Sequence, residues 1–204
     1  MKLFSLILII LSLFGCATQE APKRVYEEVI EITEINPNRL TALTKQNLFH
    51  LAKVYDLKPF LYTKKIHIQS YVVPHSHPVL TLNTRNAEKP QQLLSTWLHE
   101  EFHWWTSSKN AETHLAITDL KKIWPKVEAG AAADIQSTYL HLIVCYLEYR
   151  SLVHLLGEGP AKDIIASLAA NDKIYPWIYM QVLQKESMIS KVVKQHNLLP
   201  PPLT

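Results

Sequence analysis

Apolar residues in the first half of the chain change from helical spacing to alternation, which predicts one helix and a small sheet. Between residues 40 and 54 they recur every three or four positions, as on one face of a helix. Residues 65–72 and 78–84 then alternate polar and apolar side chains, and each stretch predicts a strand. Residues 25–35 place apolar side chains among acids and fit either a strand or an irregular lead-in.

Helical spacing dominates the second half of the chain. The predicted helices cover residues 90–107, 111–123, 131–156, 160–170, 174–184 and 185–196. Gly157 and the Gly159-Pro160 pair end the longest of them. Several helices after a few strands favour a single α+β domain, mostly helical, with a small sheet in the N-terminal half.

The first sixteen residues have the composition of an export signal. Lys2 precedes an apolar run of about a dozen residues, which is signal-peptide length and too short to span a bilayer comfortably. Leu13-Phe14-Gly15-Cys16 resembles a bacterial lipobox, and this implies that Cys16 is lipidated and becomes the mature N-terminus. A plain secretory peptide or an uncleaved anchor is the alternative.

The lipobox resemblance sets the expected organisation and location of the chain. The expected segments are a signal peptide (1–15), a polar tether (16–24) and one domain (25–204). The implied location is the cell envelope, outside the cytoplasm, with a lipid anchor on Cys16 in the membrane. In a cell that has an outer membrane, Ala17 after the cysteine favours that membrane.

Composition excludes several classes of function. The chain has 21 basic and 18 acidic side chains and a formal net charge of +3, too balanced to argue for a nucleic-acid partner. It has 4 glycines and no glycine-rich phosphate-binding motif. With Cys16 lipidated, Cys145 has no disulfide partner, and its apolar surroundings predict a small buried side chain.

One pentapeptide, His99-Glu100-Glu101-Phe102-His103, specifies chemistry. Residues four apart lie one turn apart on the same face of a helix. That spacing lets both imidazoles bind one zinc ion, with Glu100 placed to activate a water molecule. An ordinary amphipathic helix with two incidental histidines is the alternative.

The residues around the pentapeptide extend the pattern. Thr96, Trp97 and Phe102 fit the longer signature that surrounds the motif in zincin metallopeptidases, as do Trp104 and Trp105, so the segment resembles that family. Glu101 departs from the signature because its position is usually uncharged. The resemblance implies a zincin-like fold, a catalytic Zn²⁺ held by His99 and His103, and Glu100 as general base for peptide-bond hydrolysis.

The resemblance also directs the search for a third zinc ligand. Metzincins place a glycine and a third histidine where this chain has Thr106 and Lys109, so that branch does not fit. Gluzincins use a glutamate on a later helix, and Glu148 is the one carboxylate between residues 134 and 158. Glu148 is therefore the preferred ligand, although a cation such as Arg150 could satisfy it instead. The other candidates are His141, as an alternative or supporting ligand, and Glu112, His114 and Asp134.

Other residues have weaker predicted roles. Tyr149 and Tyr179 are the preferred donors to the oxyanion, chosen from the tyrosines in the later helices, Tyr146, Tyr149, Tyr175 and Tyr179. His75 and His77 lie in a proline-flanked loop and either bind metal or shape a turn. By the zincin resemblance, residues 79–84 form an edge strand that lines the cleft and pairs with extended substrate.

The sequence thus predicts a membrane-anchored zinc metallopeptidase acting on a peptide or protein substrate in the cell envelope. The alternative is a non-catalytic lipoprotein of the envelope, with a structural metal site or a peptide-binding cleft. A structural zinc site is closed by four protein ligands, whereas a catalytic site keeps one open position facing a cleft.

Overall fold

The structure is a computed structural model that describes residues 30–127, 131–132 and 134–204. The predicted signal peptide, Cys16 and the tether lie outside the described residues. Among the described helices, none combines the length and apolar character needed to cross a bilayer.

The described residues form a mostly helical α+β fold with a small sheet near the N-terminus, which confirms the predicted class at this level. The elements are β1 (Glu31–Ile35), α1 (Arg39–Val54), β2 (Lys65–Gln69), β3 (Leu80–Leu82), α2 (Pro90–Ser108), α3 (Asn110–Ile123), α4 (Ile135–Leu156), α5 (Glu158–Asn171), α6 (Pro176–Gln184) and α7 (Glu186–Gln195). Two 3-10 turns, Lys58–Phe60 and Pro201–Leu203, complete the regular structure described.

The sheet has three parallel strands in the order β1-β2-β3. Ile66 and Ile68 of β2 are fully buried while the residues between and beside them are not, as the alternating pattern predicts. All three residues of β3 are buried. Helix α1 connects β1 to β2, whereas a ten-residue loop, 70–79, connects β2 to β3.

Local capping sets the helix boundaries. The Asn38 side chain accepts from the backbone N–H groups of Leu40 and Thr41, so α1 begins directly after it. The Asp134 side chain accepts from the N–H of Ser137 at 2.7 Å, and α4 therefore begins at Ile135, four residues later than its apolar spacing predicts. Gly157, with φ of 87°, ends α4.

Helix α4 is the centre of the core. An unbroken run from Thr138 to Tyr149 is buried apart from Leu140, because α2, α5 and α6 pack around this helix. Helix α2 contributes Trp97 and Phe102 to the same core. Polar side chains of α2, α4 and α6 meet at one place, beside the loop that connects β2 to β3.

Candidate metal centre

Helix α2 presents the motif residues on one face, as predicted. The rings of His99 and His103 lie 5.1 Å apart, one helical turn from each other. His99 and Glu100 are buried, with 7% and 5% of their surface exposed, and His103 is half-buried. All three line the same cleft, so the sequence spacing produces the local arrangement that it predicts.

Helix α4 brings His141 to the two motif histidines. Its ring lies 5.5 Å from that of His99 and 4.9 Å from that of His103. One ring nitrogen from each of the three histidines lies within 4.8 Å of the others, so these side chains form a possible metal-binding group. The structure thus places His141, which the sequence analysis gives as an alternative or supporting ligand, beside the two motif histidines.

The hydrogen bonds of two of these histidines select which nitrogen is free. Nδ1 of His141 is 2.7 Å from the carbonyl oxygen of Ser137, and Nδ1 of His99 is 3.0 Å from Oε2 of Glu148. A carbonyl or a carboxylate can only accept, so each Nδ1 carries a hydrogen and donates it. Nε2 of both rings is left available, the arrangement that metal-binding histidines usually show.

Glu148 is buried and fully hydrogen-bonded. Oε2 accepts from Nδ1 of His99 and from the Tyr179 hydroxyl at 3.1 Å, and Oε1 accepts from the Ser95 hydroxyl. These three donors satisfy its charge, whereas Arg150 pairs with Glu186 at 3.0 Å instead. The carboxylate contacts the motif histidine His99 at Nδ1.

A second group of possible ligands overlaps the first. Glu148, Cys145 and His99 bring one ligand atom each within 4.8 Å of one another, and Sγ of Cys145 is 3.9 Å from Nδ1 of His99. Whether Glu148 binds metal directly stays a prediction, and His141 competes with it for that role.

The surroundings of the three histidines shift their pKa values in different directions. Burial, helped by the nearby charge of His99, lowers the pKa of His103 to about 2 and that of His141 to about 3. Both imidazoles are neutral at pH 7, the form that binds metal. Burial also lowers the pKa of His99, but its contacts with Cys145 and Glu148 outweigh burial and hold that pKa well above its ordinary value.

Glu100 lies in the cleft with its charge only partly compensated. Burial raises the pKa of its carboxyl group, while the charges of His99 and His75 lower it. A carboxylate destabilised by burial accepts a proton readily, which suits a general base. The cleft in front of it has a volume of about 380 Å³.

The tyrosines divide into three environments. Tyr179 lines the cleft but its hydroxyl is committed to Glu148. Tyr149 is buried beside the charges of Glu186 and Lys162 and does not line the cleft, which gives its predicted role no support. Tyr175 does line the cleft, with its ring stacked 4.0 Å from that of His141. Nothing in the sequence distinguishes Tyr175 from a packing residue.

The remaining predicted ligands do not join the three histidines. Asp134 caps α4, and Glu112 and His114 are on α3 and do not line the cleft. His75 lines the cleft, and neither it nor His77 belongs to a possible metal-binding group among the described residues.

Comparison with known proteins identifies no relative, since no protein-family model, no curated protein and no solved structure matches the chain. A functional assignment therefore depends on the residues of this cleft and on their geometry.

Proposed function

We propose that this protein is a zinc-dependent hydrolase of amide bonds, a metallopeptidase, with His99, His103 and His141 as the ligands of the ion. The observation that carries the proposal is the convergence of three imidazoles beside the buried carboxylate of Glu100 in one cleft. Three histidines are a ligand set that zinc enzymes use, and an open fourth position would face the cleft. His103 and His141 are already neutral, whereas His99 would give up its second ring proton when the ion binds.

The donor chemistry supports this ligand set. Glu148 and Cys145 both approach His99 at Nδ1, so Nε2 is the nitrogen of His99 that remains to bind metal together with His103 and His141. Metal-binding histidines commonly donate their second nitrogen to a carboxylate, which orients the ring and strengthens it as a ligand. Glu148 therefore acts as a positioning residue, held in turn by Ser95 and Tyr179.

The chain's own residues supply the proton transfers. Bound zinc supplies Lewis-acid activation of the amide carbonyl and of water. Glu100 accepts the proton from the attacking water and passes it to the leaving amine. Burial raises the pKa of Tyr175 to about 12, so its hydroxyl stays protonated and can donate to the oxygen that becomes negative in the transition state.

A metal site without catalysis is the second candidate, and the group formed by His99, Cys145 and Glu148 favours it. All three side chains are buried, as expected of a closed structural site. In that case Cys145→Ala and Glu148→Ala would release zinc, whereas His141→Ala would retain it.

The lipobox extends the proposal to the protein's location. A lipid on Cys16 would hold the hydrolase in the cell envelope, where its substrate would be a peptide or protein of that compartment. Mass spectrometry of the N-terminal peptide tests this step, since Cys16→Ser would lose both the acyl mass and membrane association. An unmodified Cys16 in the mature protein would contradict it without affecting the zinc site.

Metal analysis combined with peptide hydrolysis tests the proposed function. We expect about one zinc per chain in the wild type and loss of zinc in His103→Ala and His141→Ala. Glu148→Ala should still bind zinc, with affinity reduced about 10- to 100-fold because only the orientation of His99 is lost. His114→Ala, at an exposed histidine of α3, is the matched control and should change neither property.

The outcomes separate the possible ligands. Loss of zinc in Glu148→Ala as complete as in His103→Ala would make Glu148 a direct ligand. A folded wild-type protein that binds no zinc, or that binds zinc without hydrolysing any peptide, would overturn the proposed function.

A further inference from the structure

The loop between β2 and β3 folds back onto the sheet as a short fourth segment, here called the strap (residues 71–78). The N–H of His75 donates to the carbonyl of Thr81 at 3.0 Å, and the N–H of Thr81 donates to the carbonyl of His75 at 2.8 Å, in antiparallel orientation. Successive residues of a strand direct their backbone groups to opposite sides, so Thr81 is the residue of β3 that faces away from β2. The strap therefore occupies the outer edge of β3.

Side chains fix the strap at both ends. The amide of Asn83, just after β3, donates to the carbonyl of Val72 at 2.9 Å. The indole N–H of Trp104 on α2 donates to the carbonyl of Ser76 at 2.9 Å, and the ring of His77 stacks on the same indole at 4.1 Å. These contacts join the strap to the sheet and to the motif helix, so it forms one side of the cleft.

The strap offers only an interrupted edge to a further strand. Pro74 has no N–H to donate, and the carbonyl of Ser76 is already taken by Trp104. The carbonyl of Val73 is hydrogen-bonded by the ring of His75 at 3.0 Å. A strand edge that lacks one donor and has two carbonyls already occupied is a poor template for adding an extended peptide to the sheet.

From these contacts we infer that the cleft takes a compact amide substrate, a short peptide held by side chains, and not an extended polypeptide added to the sheet. This inference rests on the proposed hydrolase function. The cleft volume of about 380 Å³ lies at the small end of the roughly 300–1,000 Å³ that small-molecule sites occupy. The strap-side residues that face such a substrate include His75, Asn83 and Arg85, all with polar side chains.

A series of peptides of increasing length tests the inference on the zinc-loaded wild type. N-acetylated, C-amidated alanine peptides from about two to ten residues long would be hydrolysed, and kcat/KM should reach its plateau by about four residues. Strand addition would instead give about a tenfold rise for every one or two backbone hydrogen bonds gained as the peptide lengthens. A rise of that size from four to ten residues would overturn the inference and leave the hydrolase function standing.

Amide hydrogen exchange provides a readout that needs neither metal nor turnover. The N–H groups of Thr81 and His75 should exchange much more slowly than that of the exposed Val73, and the ten-residue peptide should not change them in the Glu100→Gln protein. Exchange of Thr81 as fast as that of Val73, or exchange that the long peptide alters, would mean that the strap opens, and would overturn the inference. Zinc-loaded protein that hydrolyses no peptide of any length would overturn the proposed function and this inference together.

Discussion

Glu100 and Glu101 are consecutive residues of helix α2, but they lie on different faces of the helix and in different surroundings. Glu101 points toward the segment that leads into β2 and is fully buried. Its carboxylate accepts from the N–H groups of Tyr62 at 2.7 Å and Thr63 at 3.1 Å, and from the indole of Trp97 at 3.1 Å. Glu100 points into the cleft and is almost as buried, yet only burial and nearby charges act on its pKa.

Glu100 and Glu101 differ in whether the protein supplies hydrogen-bond donors to the buried carboxylate. The hydrogen-bonding capacity of the Glu101 carboxylate is met by three donors of the protein, although burial outweighs them and raises its pKa to about 7. A buried carboxylate without such donors is costly to keep, and its retention in a cleft points to a role toward another molecule. The comparison also explains why a charged residue stands at position 101, where the zincin signature usually has none.

The largest expected effect is on the cleft face. Glu100→Gln removes the proton acceptor but keeps the shape of the side chain, so kcat for peptide hydrolysis should fall about 10³-fold. Zinc content should not change, and the free energy of unfolding should stay the same or rise because a buried charge is gone. Steady-state kinetics, metal analysis and urea unfolding measure the three quantities. Activity retained within tenfold would remove Glu100 from the proposed mechanism.

On the opposite face, Glu101→Ala should act on stability. Three donors, that of Trp97 buried and those of Tyr62 and Thr63 half-buried, lose their acceptor, and we expect the free energy of unfolding to fall by about 3 kcal/mol. Urea unfolding measures this change, with Glu88→Ala, at an exposed glutamate paired with Arg39, as the control. A loss below about 1 kcal/mol would show that the hydrogen bonds of Glu101 contribute no more than a surface pair does.

Zinc binding should stabilise the folded protein, and this gain should depend on the residues of the cleft and not on Glu101. At a free zinc concentration of about 100 Kd, binding to the folded state adds about 2.7 kcal/mol to the free energy of unfolding. His141→Ala should lose most of this gain, whereas Glu101→Ala, although less stable, should keep it. Unfolding curves with zinc and with a chelator give both values. An equal zinc effect in His141→Ala and the wild type would exclude His141 as a ligand.

The smallest expected effect compares two neighbouring tryptophans. The indole of Trp104 donates to Ser76 of the strap, and that of Trp105 donates to Leu198 at 2.7 Å. Each phenylalanine substitution removes one hydrogen bond, worth about 1 kcal/mol. Trp104→Phe should speed amide exchange at His75 and Thr81, whereas Trp105→Phe should not. Equal exchange in the two variants would mean that Trp104 does not hold the strap.

Periodicity in the sequence predicts most of the helices, because each helix buries an apolar face. It also predicts where the strands lie, but alternation carries no information on whether neighbouring strands are parallel. Helix α4 begins later than predicted because the apolar pattern continues through residues that precede the Asp134 cap.

The motif residues of the site were predictable because they are close in sequence, and His99 and His103 need only one helix to meet. Glu148 is separated from His99 by 49 residues, and its contact with Nδ1 depends on how α2 and α4 pack. The residues around His141 in the sequence do not distinguish a packed core histidine from a metal ligand. Only the packing of α4 on α2 brings it beside His99 and His103. The strap is paired to β3 through the backbone of one residue pair, His75 and Thr81, and a pattern of side chains does not predict such a pairing.

The contacts of Glu101 also bear on the width of the cleft. Its carboxylate fastens Tyr62 and Thr63, directly before β2, to the motif helix. Because β2 carries β3 and the strap beside it, these hydrogen bonds hold the sheet against α2, while Trp104 holds the strap to the same helix directly. Glu101 does not itself line the cleft, and we expect substitutions at position 101 to change the width of the cleft through the position of the sheet.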